Sequence, residues 1–174
     1  MPKFITVKKA EQEHHQAVRY LTNSLVRSSA LIGLISLILG YGGVIYLIFK
    51  GRPITELMTD SLVLLGAGLV LGLFQAAYQH YLYKFHPDYF ADRMRRTEMR
   101  LSGQIKKMKK IGDPIGVEHA GRWAVPYLTF LGWAALIALT VIYIPKLNIL
   151  SSVFLLLAGF HNARFFYLKR LVKK

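Results

Sequence analysis

The chain has 174 residues, 53% of them hydrophobic, and its 23 Lys and Arg outnumber 9 Asp and Glu to give a net charge of +14 with no cysteine. Without cysteine, disulfides, thiolate metal sites, covalent c-type haem and thiol nucleophiles are excluded. The charge suggests nucleic acid as a partner, but the apolar residues come in long blocks, which is the pattern of a membrane protein rather than of a soluble core.

Residues 1–28 are mostly polar, and no small-residue cleavage pattern follows the first apolar run, so that run is expected to stay in the protein as a span. Val18, Leu21 and Leu25 share one stripe of Lys8 to Arg27, a candidate surface helix. Glu11, His14 and His15 have helical spacing for a metal, but near a terminus this pattern reads as solvated surface, and no metal site is expected. From Ala30 to Phe49 there is no charge, over a length that crosses roughly 30 Å of hydrocarbon. Further spans are expected at about 61–83, 123–144 and 149–168, the last interrupted by His161, Asn162 and Arg164. The bilayer has no water to satisfy backbone groups and the runs lack barrel-type alternation, so the expected fold class is an all-α integral membrane protein. Its four transmembrane helices are expected as two hairpins, 29–83 and 123–168, followed by a basic tail, 169–174.

Between the hairpins lies a basic connection, 84–122. In it Met94, Leu101, Ile105 and Met108 recur at helical spacing, while Arg93, Arg95, Arg96, Arg100, Lys106, Lys107, Lys109 and Lys110 fill much of the rest. This predicts an amphipathic helix over about 89–111, lying on the membrane surface or against a partner, with Gly103 as its weak point. The stretch GDPIGVEHAG, residues 112–121, lacks the Gly-Lys-Ser/Thr ending of a phosphate-binding loop and reads as a turn.

The cations fall at one end. Five lie in residues 1–28, ten between Lys84 and Arg122, and five from Arg164 onward, leaving Lys50, Arg52 and Lys146 for the opposite turns. By the positive-inside rule both termini and the middle connection are expected in the cytoplasm, and the compact loops fit a bacterial inner membrane. Attraction to anionic lipid accounts for the basicity, and nucleic acid is not expected as a partner.

Two stripes of small residues stand out: Gly33, Ser36, Gly40 and Gly43 on the first span, and Gly68 and Gly72 on the second, continued by Gln75 and Gln79. Small residues let helices approach and amides bond across them, so these faces are expected to join helices one and two. Arg164 stands close enough to the end of its span to snorkel to headgroups. His80 and His161 occupy helices of the same direction at similar depth and could ligate a b-type haem; otherwise no cofactor is expected. Residues 71–84 and 157–170 match at five positions, and Val44-Ile45-Tyr46 recurs as Val141-Ile142-Tyr143, which suggests a parallel repeat of the hairpin.

The spans hold no Asp, Glu or Lys in their interior, so neither an enzyme nor an ion-coupled transporter is indicated. The expected function is that of a non-catalytic accessory or scaffold subunit of a larger membrane protein complex, docking through the small-residue faces and the basic surface. Self-association into a homo-oligomer is a further option. The alternatives are a haem-bearing electron-transfer subunit using His80 and His161, and an anionic-lipid-binding or membrane-shaping protein acting through residues 89–111.

Overall fold

The computed structural model describes residues 2–103, 116 and 122–172, with side chains from residue 11 onward. Among the described residues every regular element is helical. Helix α1 (Pro2–Tyr20) runs through a π-helical turn (Leu21–Val26) into α2 (Arg27–Phe49); α3 (Ile54–Phe85), α4 (Pro87–Leu101), α5 (Ala124–Leu147) and α6 (Ile149–Val172) follow. Four of these, α2, α3, α5 and α6, are long and apolar enough to cross a membrane. They make this an integral membrane protein of the all-helical class.

The turns are set by particular residues. Gly51, at φ 82°, ends α2 in the left-handed region, and Pro53 leads into α3. His86 is held out of the helical region by Pro87, the first residue of α4. Between α5 and α6 there is a single residue, Asn148, at φ 68° and ψ 164°. Its Oδ1 accepts the Ser151 N–H at 2.8 Å and its carbonyl accepts the Ser152 hydroxyl at 2.7 Å, so it caps α6 from a strained backbone position. Asn148→Ala loses the cap and keeps the strain, whereas Asn148→Gly loses the cap and relieves the strain. We expect the alanine variant to be less stable than the glycine variant by about 1–2 kcal/mol in detergent unfolding, with equal stability of the two contradicting the strain at Asn148.

The centre of the bundle is α6. It carries buried Ser151, Ser152, Ala158, Gly159 and Ala163 on two faces, so two neighbours approach it closely. On one side α2 runs antiparallel to it, with Gly33 against Asn162, Gly40 against Leu155 and Gly43 against Ser151. On the other side α3 runs parallel to it, with Gly68 against Leu156 and Phe160, and Gly72 against Phe160 and Ala163. The pairing of helices one and two through their small faces is therefore not what forms. Both stripes close on α6, which separates α2 from α3 along most of their length. Small residues fix how closely two helices can approach, and the small residues of α6 were the better complement to both stripes.

Helix α5 is held more loosely, being buried at Leu136, Thr140 and Leu147. It meets α3 where Gly132 receives Leu71, and α6 where Trp133 contacts Phe160, with ring centroids 4.8 Å apart. The first helix of hairpin one thus packs on the second helix of hairpin two, α2 on α6, whereas α5 packs on α3 and on α6 alike.

At the basic end α1 packs along α4, burying Ala17 and Leu21 with Leu82 and Phe90. The Arg95 Nε donates to Gln16 Oε1 at 2.7 Å, and ion pairs join Arg95 to Glu13 at 3.9 Å and Arg19 to Glu98 at 3.8 Å. The basic amphipathic helix thus has a partner within the chain, its own N-terminal helix. It also ends earlier than residue 111: α4 stops at Leu101 and Gly103 adopts φ 69°. Residues 104–115, with Lys106, Lys107, Lys109 and Lys110, lie outside the described residues.

Candidate functional site

Two features survive once the packing residues are assigned, one on each side of α6. The first is a groove of about 750 Å³. Its floor is low because α6 presents Ala158, Gly159 and Ala163 there; Leu65, Leu69 and Leu73 of α3 and Leu37 of α2 form its walls. Toward the basic end the lining becomes polar with His80, Tyr167 and Arg170. The Tyr167 hydroxyl and His80 Nδ1 are hydrogen-bonded at 3.1 Å, and Arg170 is exposed. Asn162, also at the groove, donates its Nδ2 to Ala158 O at 2.9 Å and to Gly33 O at 3.4 Å, so its amide ties two helices together. An apolar trough ending in a cation and a hydrogen-bonded imidazole has the shape of an amphiphile.

The second feature is a polar cluster on the other side of α6. At 100° per residue, His161 and Arg164 project away from the groove side marked by Gly159 and Ala163. Arg164 does not extend to the basic end: its guanidinium lies over the ring of Phe160 one turn back, 5.5 Å from the centroid. Its Nη2 donates to Gln79 Oε1 at 3.4 Å, a long bond. Its Nε is buried without a partner among the described residues, as are His161 Nδ1 and Gln75 Oε1. No carboxylate among the described residues pairs with the guanidinium. The glutamines, expected to bond to helix one, instead face this cluster. Beside it, where α5 stands off from α3, lies a chamber of about 470 Å³ lined by Gln75, Gln79, Phe130 and Trp133, with Tyr20 and Arg93 at its basic end.

The two histidines are not brought together. Gly72 packs against Phe160 and Ala163, so His161 stands level with Gly72, while His80 lies eight residues farther along α3, about 12 Å away. They also face different sides, His80 the groove and His161 the cluster, so they are not placed as the two axial ligands of one haem. No group of three His, Asp or Glu suited to a metal occurs among the described residues. His14 packs on the Tyr83 ring at 5.5 Å, with Nε2 3.3 Å from its hydroxyl.

Of the predicted basic surface, Arg95 is engaged by α1 and Arg96 pairs with Asp92 at 2.7 Å in an almost buried contact. Arg93 lies over the Tyr89 ring at 4.7 Å, and Arg100 is exposed. Sequence reasoning missed Tyr167 and Arg170 at the groove and Tyr20 at the chamber: Arg170 belongs to the basic tail, Tyr20 to the candidate surface helix, and Tyr167 carries no motif of its own. Their signal was positional: Tyr167 and Arg170 follow Ala163 at spacings of four and three, on the stripe that faces α3. Comparison of the chain with protein-family models, with curated proteins and with solved structures returned no match.

Proposed function

We propose that this is a non-catalytic membrane protein that binds an anionic lipid in the groove between α2, α3 and α6, its basic end on the cytoplasmic side of a bacterial inner membrane. The observation that carries the reading is the polarity of the groove. Its leucine-lined length suits an acyl chain, and it ends at Arg170 and His80, the end at which the cations of the chain collect. Anionic headgroups gather at such an end, where each Lys or Arg near the surface contributes about 1 kcal/mol. The asymmetry of 23 cations, with three in the opposite turns, supports the orientation.

The test is native mass spectrometry of protein released from nanodiscs with equal phosphatidylglycerol and phosphatidylcholine. The wild type is expected to retain phosphatidylglycerol preferentially, and Arg170→Gln to lose that preference. Equal retention of both lipids by the wild type would end the proposal.

A second reading, an accessory subunit of a larger complex, is favoured by α5, whose Phe130, Leu131, Ile137 and Ile142 are all exposed. The small-residue stripes no longer support it, because α6 occupies them. Recovery of the chain alone after crosslinking in its native membrane counts against this reading.

A further inference from the structure

A guanidinium in the apolar part of a bundle is costly unless a counter-charge and hydrogen bonds compensate it. Arg164 has a ring beneath it, one long bond to an amide, and a buried Nε with nothing to donate to among the described residues. Within the same few turns His161 Nδ1 and Gln75 Oε1 are buried and unbonded. Buried polar atoms are normally satisfied, so the unpartnered Nε of the cation and the unpartnered imidazole nitrogen near it mark a place where something else binds. Gln79 faces both the cation and the chamber, joining the two. That chamber lies where α5 stands off from α3, and it is polar along Gln75 and Gln79 and apolar along Phe130 and Trp133.

We infer that Arg164, His161, Gln75 and Gln79 form a binding site for one oxyanion group, a carboxylate or a phosphate, received through the chamber between α3 and α5. The guanidinium supplies the charge and a planar fork of donors, which matches either oxyanion in bidentate fashion. The Gln79 amide, whose Oε1 accepts from Arg164, supplies an N–H₂ donor, the Gln75 amide does so after turning its Nε2 to where Oε1 stands, and the imidazole donates in its Nδ1–H tautomer. Arg93, exposed at the basic end of the chamber, puts a second cation on the approach. The site is separate from the groove, so failure of one leaves the other standing.

Trp133 lines the chamber, and the second tryptophan, Trp123, is exposed outside it. In a Trp123→Phe background, Trp133 fluorescence therefore reports on this site alone. The full chain in neutral detergent would be titrated with oleate, oleoyl lysophosphatidic acid, oleyl alcohol and inorganic phosphate. Saturable responses to oleate and to the lysophosphatidic acid, with none to the alcohol, are expected. Arg164→Gln should weaken them by about tenfold or more, Arg164→Lys should retain part of the affinity, and Arg170→Gln should leave it unchanged. A response to the amphiphiles alone supports the site with a membrane source for the anion, whereas an equal response to inorganic phosphate supports it with a source in solution. Oleyl alcohol binding as oleate does, or Arg164→Gln binding as the parent does, overturns the proposal.

A stability readout separates binding from a structural role. In an Arg170→Gln background, which takes away the cation of the groove, and without added anion, Arg164→Gln removes a charge that has no counter-ion and should melt above its parent; with oleate, that parent should gain stability and the Arg164→Gln variant should not. A variant that melts below the parent without anion, and still gains from oleate, assigns Arg164 to the scaffold and overturns the site.

Discussion

Gly159→Ala and Gly68→Ala are each expected to destabilise the bundle by about 1–3 kcal/mol through a single added methyl group. At Gly159 the new Cβ meets the backbone carbonyl of Leu65, and at Gly68 that of Leu156. Neither neighbour is the movable end of a side chain, so α3 and α6 must separate, and separation costs dispersion contacts along both helices. In a membrane this matters more than it would in water, because lipid tails are as apolar as leucine and closeness of packing is what holds the helices together. Gly66→Ala and Gly42→Ala are the matched controls: a Cβ at either meets nothing within 4 Å, and both should be neutral or slightly stabilising, since alanine is the better helix former. Unfolding of the four variants in detergent decides the matter, and equal behaviour of Gly68→Ala and Gly66→Ala would contradict the arrangement of α3 on α6.

The same glycines mark the limit of what the sequence disclosed. Apolar block length identified four spans, because crossing a bilayer is a local requirement that each segment meets alone. The small-residue stripes identified which faces pack, because close approach needs small residues whatever the neighbour is. What pattern alone did not reveal is which helix packs on which. The stripe of α2 fits any face of matching shape, and the small residues of α6 were overlooked beside its more conspicuous His161, Asn162 and Arg164. Arg164 was read as snorkelling on depth alone, yet its rotamer carries the head back over Phe160 toward Gln79. The candidate site was half legible for the same reason. Gln75 and Gln79 announced a polar face on α3, but the cation opposite them, and the gap left by α5, are properties of the assembled bundle. The basic segment gives the converse case: its amphipathic period was plain in the sequence, and α1, a stretch with weaker periodicity, proved to be what covers it.

Phe90→Ala is expected to release this cover while leaving the spans folded. Phe90 is 2% exposed and sits between Tyr20 of α1, 5.8 Å away ring to ring, and the buried Leu21 and Leu82. Truncating such a residue costs about 3–5 kcal/mol, and Phe90 is the largest side chain buried in the cluster that, with the Arg95–Gln16 hydrogen bond, holds α1 to α4. The ion pairs Arg19–Glu98 and Arg95–Glu13 are long and partly exposed, a class worth about 0–1 kcal/mol each. Amide exchange should therefore quicken over residues 11–20 and 87–101 in Phe90→Ala, with α3 and α6 still protected, whereas Glu98→Gln should change little. Loss of protection in α6 to the same extent would mean that cover and bundle form one cooperative unit. If the cover is separable, its position gains a consequence, since Tyr20, Tyr89, Phe90 and Arg93 all line the chamber beside Arg164. Loosening it should speed the arrival of an anion at Trp133, and because the Arg164 contacts are untouched, release should quicken in step and leave the affinity nearly constant. A docked surface helix would then set how fast the buried cation is reached, and the bundle how tightly the anion is held.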